Sequence, residues 1–95
     1  MLITVLIPCF NEKKIIGKVV DKINNLKNLN LEVIIIDDSS SDGTKDLLKD
    51  KIKDKVSKIV FNDKNYGKGY CIKKGIEASN GDVILIQDAD LEYDP

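Results

Sequence analysis

The chain has 95 residues, 42% of them apolar, and a formal charge of −1, enough for one compact domain and too little for two. Its 15 basic residues are all lysine and are spread along the sequence rather than massed in a block, so no nucleic-acid partner is expected. Without arginine or histidine, phosphate must be held by lysine, backbone N–H groups or a metal, and a histidine-based triad is excluded.

The first predicted strand is the β-branched run 2–7, ended by Pro8. Ile15, Ile16, Val19, Val20, Ile23 and Leu26 then recur at helical spacing, with Asn11 placed as the N-cap. A second apolar run, 31–36, stops at Asp37-Asp38 and reads as another buried parallel strand. After the Asp42-Gly43 turn, Leu47, Leu48 and Ile52 predict a helix and residues 58–61 a third strand. A third helix follows Gly67 and Gly69, carries Ile72 and Ile76 inward, and ends near Asn80-Gly81. Residues 83–86 form a fourth buried strand. The order β-α-β-α-β-α-β requires right-handed crossovers and a parallel sheet covered on both faces, with ligands at the carboxyl ends of the strands.

Cys9 and Cys71 lack metal-ligand spacing and read as small buried hydrophobes, which fits a reducing, cytoplasmic setting. The opening apolar run is far too short to cross a bilayer.

In this fold the carboxyl ends of the first, second and fourth strands meet, and they carry Asn11 and Glu12, Asp37 and Asp38, and Asp88 and Asp90. Carboxylates gathered in one crevice repel one another unless a counter-charge is present. The economical choice is a divalent cation, Mg²⁺ or Mn²⁺, shared with a diphosphate.

Four segments make the reading specific: Ile7-Pro8-Cys9-Phe10-Asn11-Glu12, Asp37-Asp38-Ser39-Ser40-Ser41-Asp42-Gly43-Thr44, Asn65-Tyr66-Gly67-Lys68-Gly69 and Asp88-Ala89-Asp90-Leu91-Glu92. In this order they resemble family 2 of the glycosyltransferases over essentially the whole chain, most closely the polyprenyl-phosphate mannose and glucose synthases. The resemblance implies a Rossmann-like α/β domain of three layers with a parallel sheet in the order 3-2-1-4, the nucleotide-sugar-binding half of the A-type glycosyltransferase fold.

Residue by residue, the resemblance assigns Pro8, Phe10 and Glu12 to base and ribose contacts, although Pro8 also suits a strand end and Glu12 a helix N-terminus. Asp38, with Ile36 beside it, matches the family's base-recognition position, whereas Asp37 serves equally well as a turn acid. Asp42-Gly43-Thr44 reads as a helix start. Lys68, between two glycines, is placed to meet a phosphate. Asp88 and Asp90 are alternate residues of an extended chain and would put two carboxylates on one hard cation. Ala89 lies between them on the substrate side, and Glu92 is a third metal-ligand candidate.

The activity implied is inverting transfer of a hexose from a UDP- or GDP-linked sugar, with polyprenyl phosphate as acceptor and the parent at the cytoplasmic face of a membrane. No catalytic base is identified in residues 1–95; base and acceptor site are expected downstream, so the isolated chain is expected to be inactive. The implied strand order leaves the strand at 83–86 on a sheet edge, where a second copy is expected to pair. Two other classes fit parts of the pattern: a non-catalytic nucleotide-binding module, and a receiver- or phosphatase-like domain with Asp37-Asp38 as its acidic pocket.

Overall fold

Each apolar run forms a strand, and the helically periodic stretches between them form helices. In the structure, a computed structural model that describes residues 1–89, the elements are β1 (Ile3–Cys9), α1 (Ile16–Asn24), β2 (Leu31–Asp37), α2 (Thr44–Leu47), β3 (Lys58–Phe61), α3 (Lys68–Ala78) and β4 (Val83–Ile86). Helix α2 runs on through a π-helical turn at Leu48–Ile52 and a 3₁₀ turn at Lys53–Lys55. All pairings are parallel and the sheet order is β3-β2-β1-β4. This is the expected order; it is not the 2-1-3-4 order of receiver-type folds.

The alternation of side chains along β1 and β2 divides the core in two. Val5, Ile7, Cys9, Val33 and Ile35 point to one face, where Ile16, Val19, Val20 and Ile23 of α1 cover them together with Leu48 and Ile52. Leu6, Ile34 and Ile36 point to the other, against Cys71 of α3. Both faces being covered, these strands carry continuous apolar sequence, each fully buried Ile or Leu contributing about 1.5–3 kcal/mol. In α1 the buried residues sit at positions i, i+3, i+4 and i+7, while Lys18, Asp21 and Lys22 face solvent.

Several expectations are corrected. Pro8 lies inside β1, opposite Ile36, rather than ending it. Leu6 accepts from the Gln87 N–H on the β4 side, and alternation turns the ring nitrogen of Pro8 to that same side, beyond the last β1–β4 pair at Leu6 and Ile86. A missing N–H costs nothing there. Asn11 does not cap α1, which has no side-chain cap; the Ile15 and Ile16 N–H groups donate to the Glu12 carbonyl at 3.0 and 2.9 Å. Leu26 lies beyond the end of α1 and is 53% exposed.

The inward face of α3 carries Cys71 and Gly75, with Ile72 partly buried, and Ile76 is 47% exposed. Gly75 explains this rotation. A Cβ there would stand 2.8 Å from Leu6 Cδ2 and 2.9 Å from Ile36 Cδ1, so the missing side chain lets the helix backbone settle onto the sheet. Strand β4 is an edge whose Val83, Leu85 and Ile86 are exposed, not a buried strand.

The sequence reading missed Glu32, an acid buried within β2. Its carboxylate accepts from Thr4 Oγ1 and the Asn80 N–H, both at 2.7 Å, and from Asn80 Nδ2 at 2.9 Å. The Asn80 bonds, opposed by burial and aided by Thr4, hold it below the usual glutamate range. This network ties β1 and β2 to the α3–β4 connection at the amino ends of the strands.

Candidate functional site

The carboxyl ends of β1, β2 and β4 and the start of α3 enclose a cavity of about 400 Å³. The end of β1 contributes Pro8, the chain leaving β1 Phe10 and Glu12, the residue after β2 Asp38, the first turn of α3 Lys68, and the segment after β4 Asp88 and Ala89. Seven of the residues singled out from the sequence thus line one space. Ile36 does not: it is fully buried among Leu6, Ile34 and Cys71, so its side chain is part of the core and cannot touch a ligand. Asp90 and Glu92 lie outside the described residues.

Two loops wall the cavity, and hydrogen bonds lock them together. Asn11, in the left-handed region at φ 53°, donates its N–H to Ser40 Oγ at 2.9 Å and accepts from the Ser41 N–H at 2.7 Å. Asn tolerates this conformation better than most residues. Ser40 Oγ in turn donates to Asp37 Oδ1 at 2.5 Å, and the Ser40 N–H donates to Oδ2 at 3.1 Å. Asp37 is completely buried and faces this turn, which decides between its two readings in favour of a turn acid. Asp42 accepts from the Thr44 N–H at 3.0 Å and from its hydroxyl, and Gly43 adopts φ 97°, so this segment starts α2 as its composition predicts.

Asp38 is 4% exposed. Its Oδ1 accepts from Asn62 Nδ2 and the Tyr66 N–H, both at 2.9 Å, and its Oδ2 from the Gly67 N–H at 2.8 Å. Burial pushes its carboxyl up, but the bonds from Tyr66, Asn62 and Gly67 outweigh that and hold it below the ordinary aspartate range. Asn62, the first residue past β3, is the partner that sequence reasoning missed. The signal available was its register, since Asp37 pairs with Phe61 and the next residues along are Asp38 and Asn62.

Lys68 Nζ lies 2.6 Å from Asp88 Oδ1, with both side chains about half exposed. The ammonium therefore stands against the carboxylate from which a metal site was expected. Ala89 is 3% exposed and packs into the core beside β1, anchoring the segment that presents Asp88. Phe10 is 44% exposed and presents an aromatic ring near the mouth.

The two cysteines also line the cavity, which the sequence reading missed while placing them correctly as buried. Burial, then the nearby charges of Asp37 and Glu12, pushes the Cys9 thiol up to about 12. Burial and then Asp38 pushes Cys71 up to about 11. Neither is a thiolate at neutral pH, so neither is suited to act as a nucleophile. Among the described residues no group of three or more carboxylate or thiol ligands gathers as a complete metal site, and no helix is long and apolar enough to cross a membrane.

Known proteins share this fold. The chain is 30% identical to a dolichol-phosphate mannosyltransferase of Pyrococcus furiosus over 96 residues, covering 100% of the chain and 27% of the relative. It is 34% identical to an undecaprenyl-phosphate 4-deoxy-4-formamido-L-arabinose transferase of Aeromonas hydrophila, covering 99% and 30% respectively. The chain thus spans under a third of the length of these curated relatives. Among solved structures, a mannosyltransferase from Pyrobaculum calidifontis in complex with GDP-Man and Mn²⁺ superposes with a TM-score of 0.83 at 26% identity, over 93% of this chain and 27% of that one. The sequence profile of Glycosyl transferase family 2 matches residues 4–95, and the chain belongs to that family.

Proposed function

We propose that the cavity binds a UDP- or GDP-linked sugar together with Mg²⁺ or Mn²⁺, as the donor half of an enzyme that transfers a hexose with inversion. The observation that carries this reading is the convergence of Phe10, Glu12, Lys68, Asp88 and Ala89, from separate elements, on one space at the carboxyl ends of the strands. The exposed Phe10 ring and the Pro8 ring offer an apolar bed for a base, and Glu12 an acceptor for ribose hydroxyls. Lys68 supplies a point charge to phosphate.

The donor set suits a hard cation. Asp88 offers oxygen donors, is half exposed, and already holds a positive charge in the form of the Lys68 ammonium. Asp88 with Asp90, and Glu92 as a third donor, would hold the ion. When bound, the cation neutralises the diphosphate as it leaves. The protein's own part is to orient the diphosphate through Lys68 and to hold the loops after β1 and β2 together through the Asn11–Ser40 clasp. No described residue is placed as a base for a hydroxyl acceptor.

For the acceptor we propose a polyprenyl phosphate, the class named in two of the relatives. A second copy of this chain, pairing along β4, is the proposed protein partner, because that edge presents Val83, Leu85 and Ile86 to solvent.

Calorimetry with UDP and with GDP, with and without Mn²⁺, tests the donor reading. Binding should require the metal and fall at least about tenfold in Asp88→Asn, the loss of roughly one charge-assisted contact. Metal-independent binding that is indifferent to Asp88→Asn would sink it.

A further inference from the structure

We propose that the Lys68–Asp88 ion pair is a latch on the donor cavity: each side chain holds the other until a diphosphate and a divalent cation arrive together, when Lys68 turns to the phosphate and Asp88 to the cation. This rests on the donor-binding reading above and adds to it how the cavity tells a metal-bound diphosphate from either component alone. Lys68 is the one cationic side chain lining the cavity among the described residues, where Glu12, Asp38 and Asp88 supply three carboxyl groups. Its ammonium lies 2.6 Å from Asp88 Oδ1. The oxygen proposed for the cation and the ammonium proposed for the phosphate are therefore occupied with each other.

The two side chains are rooted firmly and end loosely. The Gln87 N–H donates to the Leu6 carbonyl at 2.8 Å and Ala89 is 3% exposed in the core, so the backbone on both sides of Asp88 is fixed. At the start of α3 the Gly67 carbonyl accepts from the Cys71 N–H at 3.2 Å, and this first turn fixes the backbone beside Lys68. The charged side chains, by contrast, are 56% and 49% exposed. An ion pair that open contributes little to folding, and water can take the place of either partner. It forms because the fold sets its two roots within reach, not because burial traps it.

The charges dictate the exchange. A cation alone meets an ammonium already beside Asp88, and positive charges about 4 Å apart on one carboxylate repel each other even in water. A diphosphate alone gains Lys68 only by leaving Asp88 without its partner, in a cavity that Glu12 and Asp38 also line. When both arrive together, one ion pair is replaced by two, and neither Lys68 nor Asp88 loses a partner. Metal and diphosphate must then bind with positive coupling, each raising the affinity of the other by the same factor.

The experiment compares Mn²⁺ alone with Mn²⁺ plus nucleotide. Uptake of Mn²⁺ by nucleotide-free protein is read from the electron paramagnetic resonance signal of the ion left in solution, for wild type and for Lys68→Met, which nearly keeps the length and removes the charge. Lys68→Met should bind Mn²⁺ about three- to tenfold more tightly, because the repulsion and the competing ion pair are removed together. The same variant should bind UDP and GDP in the presence of Mn²⁺ more weakly than wild type, having lost its phosphate contact. Changes of opposite sign in the two titrations are the signature of the latch. Lys68→Arg retains the charge and should bind Mn²⁺ alone as wild type does. Affinity for Mn²⁺ alone that is unchanged or weaker in Lys68→Met, or raised equally in Lys68→Arg, overturns the proposal, as does tighter binding in both titrations or no Mn²⁺ uptake by any variant. If nucleotide binding still requires Mn²⁺, the donor reading survives the loss of the latch. Nucleotide that binds neither with nor without Mn²⁺ refutes the donor reading instead, and the titration with Mn²⁺ alone still decides whether Lys68 holds Asp88.

Discussion

Glu32→Gln tests how the far end of the sheet is held. The wild-type carboxylate is buried at 7% exposure and accepts three short hydrogen bonds, two from Asn80 and one from Thr4. A glutamine keeps one oxygen. In its best orientation that oxygen keeps the Thr4 and Asn80 N–H bonds without charge assistance, while its new NH₂ faces Asn80 Nδ2, donor against donor. One charged bond lost and two weakened amount to about 2–3 kcal/mol. The Lys58 ammonium, 3.9 Å away and 42% exposed, adds little. With a urea dependence near 1 kcal/mol per molar for a chain this small, the unfolding midpoint followed by far-UV circular dichroism should fall by about 2–3 M. The pH dependence has a definite sign. Because folding lowers the Glu32 pKa, its contribution is complete above the unfolded value and is lost as pH falls through the folded one. The gap between wild type and Glu32→Gln should therefore be widest at neutral pH and close in acid. A midpoint within about 0.5 M of wild type at neutral pH, or a gap that widens in acid, refutes the reasoning.

Gly81→Ala should lower the melting temperature, since a Cβ would lie 2.3 Å from Thr4 Oγ1 and 2.7 Å from the Thr4 backbone nitrogen, at a cost of about 1–3 kcal/mol or more. Gly69→Ala, in α3 with nothing within 4 Å, should be neutral or gain up to about 1 kcal/mol; a reversed ranking in thermal melts contradicts the packing described. Leu85→Lys should shift light scattering toward monomer if copies pair along β4, and a wild-type monomer at high concentration would refute that pairing. Cys9 and Cys71 should react with a thiol reagent far more slowly in native protein at mildly alkaline pH than after denaturation, because burial holds them at about 12 and about 11. Equal rates would place them at the surface.

The alternation of strand and helix was legible in the sequence because periodicity is local: the continuous apolar runs at 2–7 and 31–36 mark strands, and the helical spacing of Ile16, Val19, Val20 and Ile23 marks a helix. The bounds of β3 and β4 and the sheet order followed from the same runs and the family resemblance. So did most of the cavity, since residues just past parallel strands must gather at one end of the sheet. Spacing misled at Ile76, at Leu26 and at Asn11. At Ile76 the deciding residue is Gly75, which has no hydrophobicity to register and acts by the absence of a side chain. Asn11 was placed as a local cap, but its partners, Ser40 and Ser41, are 29 and 30 positions away.

Polar commitments of this kind were decided by the tertiary structure. Nothing in Asp37-Asp38 shows that one acid closes its own turn while the other is taken up by Asn62, Tyr66 and Gly67. Nor does Glu32, read in its strand, announce Asn80 as its partner 48 residues on. A buried carboxylate must find donors wherever the fold brings them, and in a parallel sheet they arrive across crossovers rather than from neighbours in sequence. Sequence by itself determined which residues are apolar, where the chain turns, and that acidic and lysine side chains collect at the strand ends. The fold decided which of those charges remain free to meet a ligand, because that depends on hydrogen bonds between segments that only tertiary packing brings together.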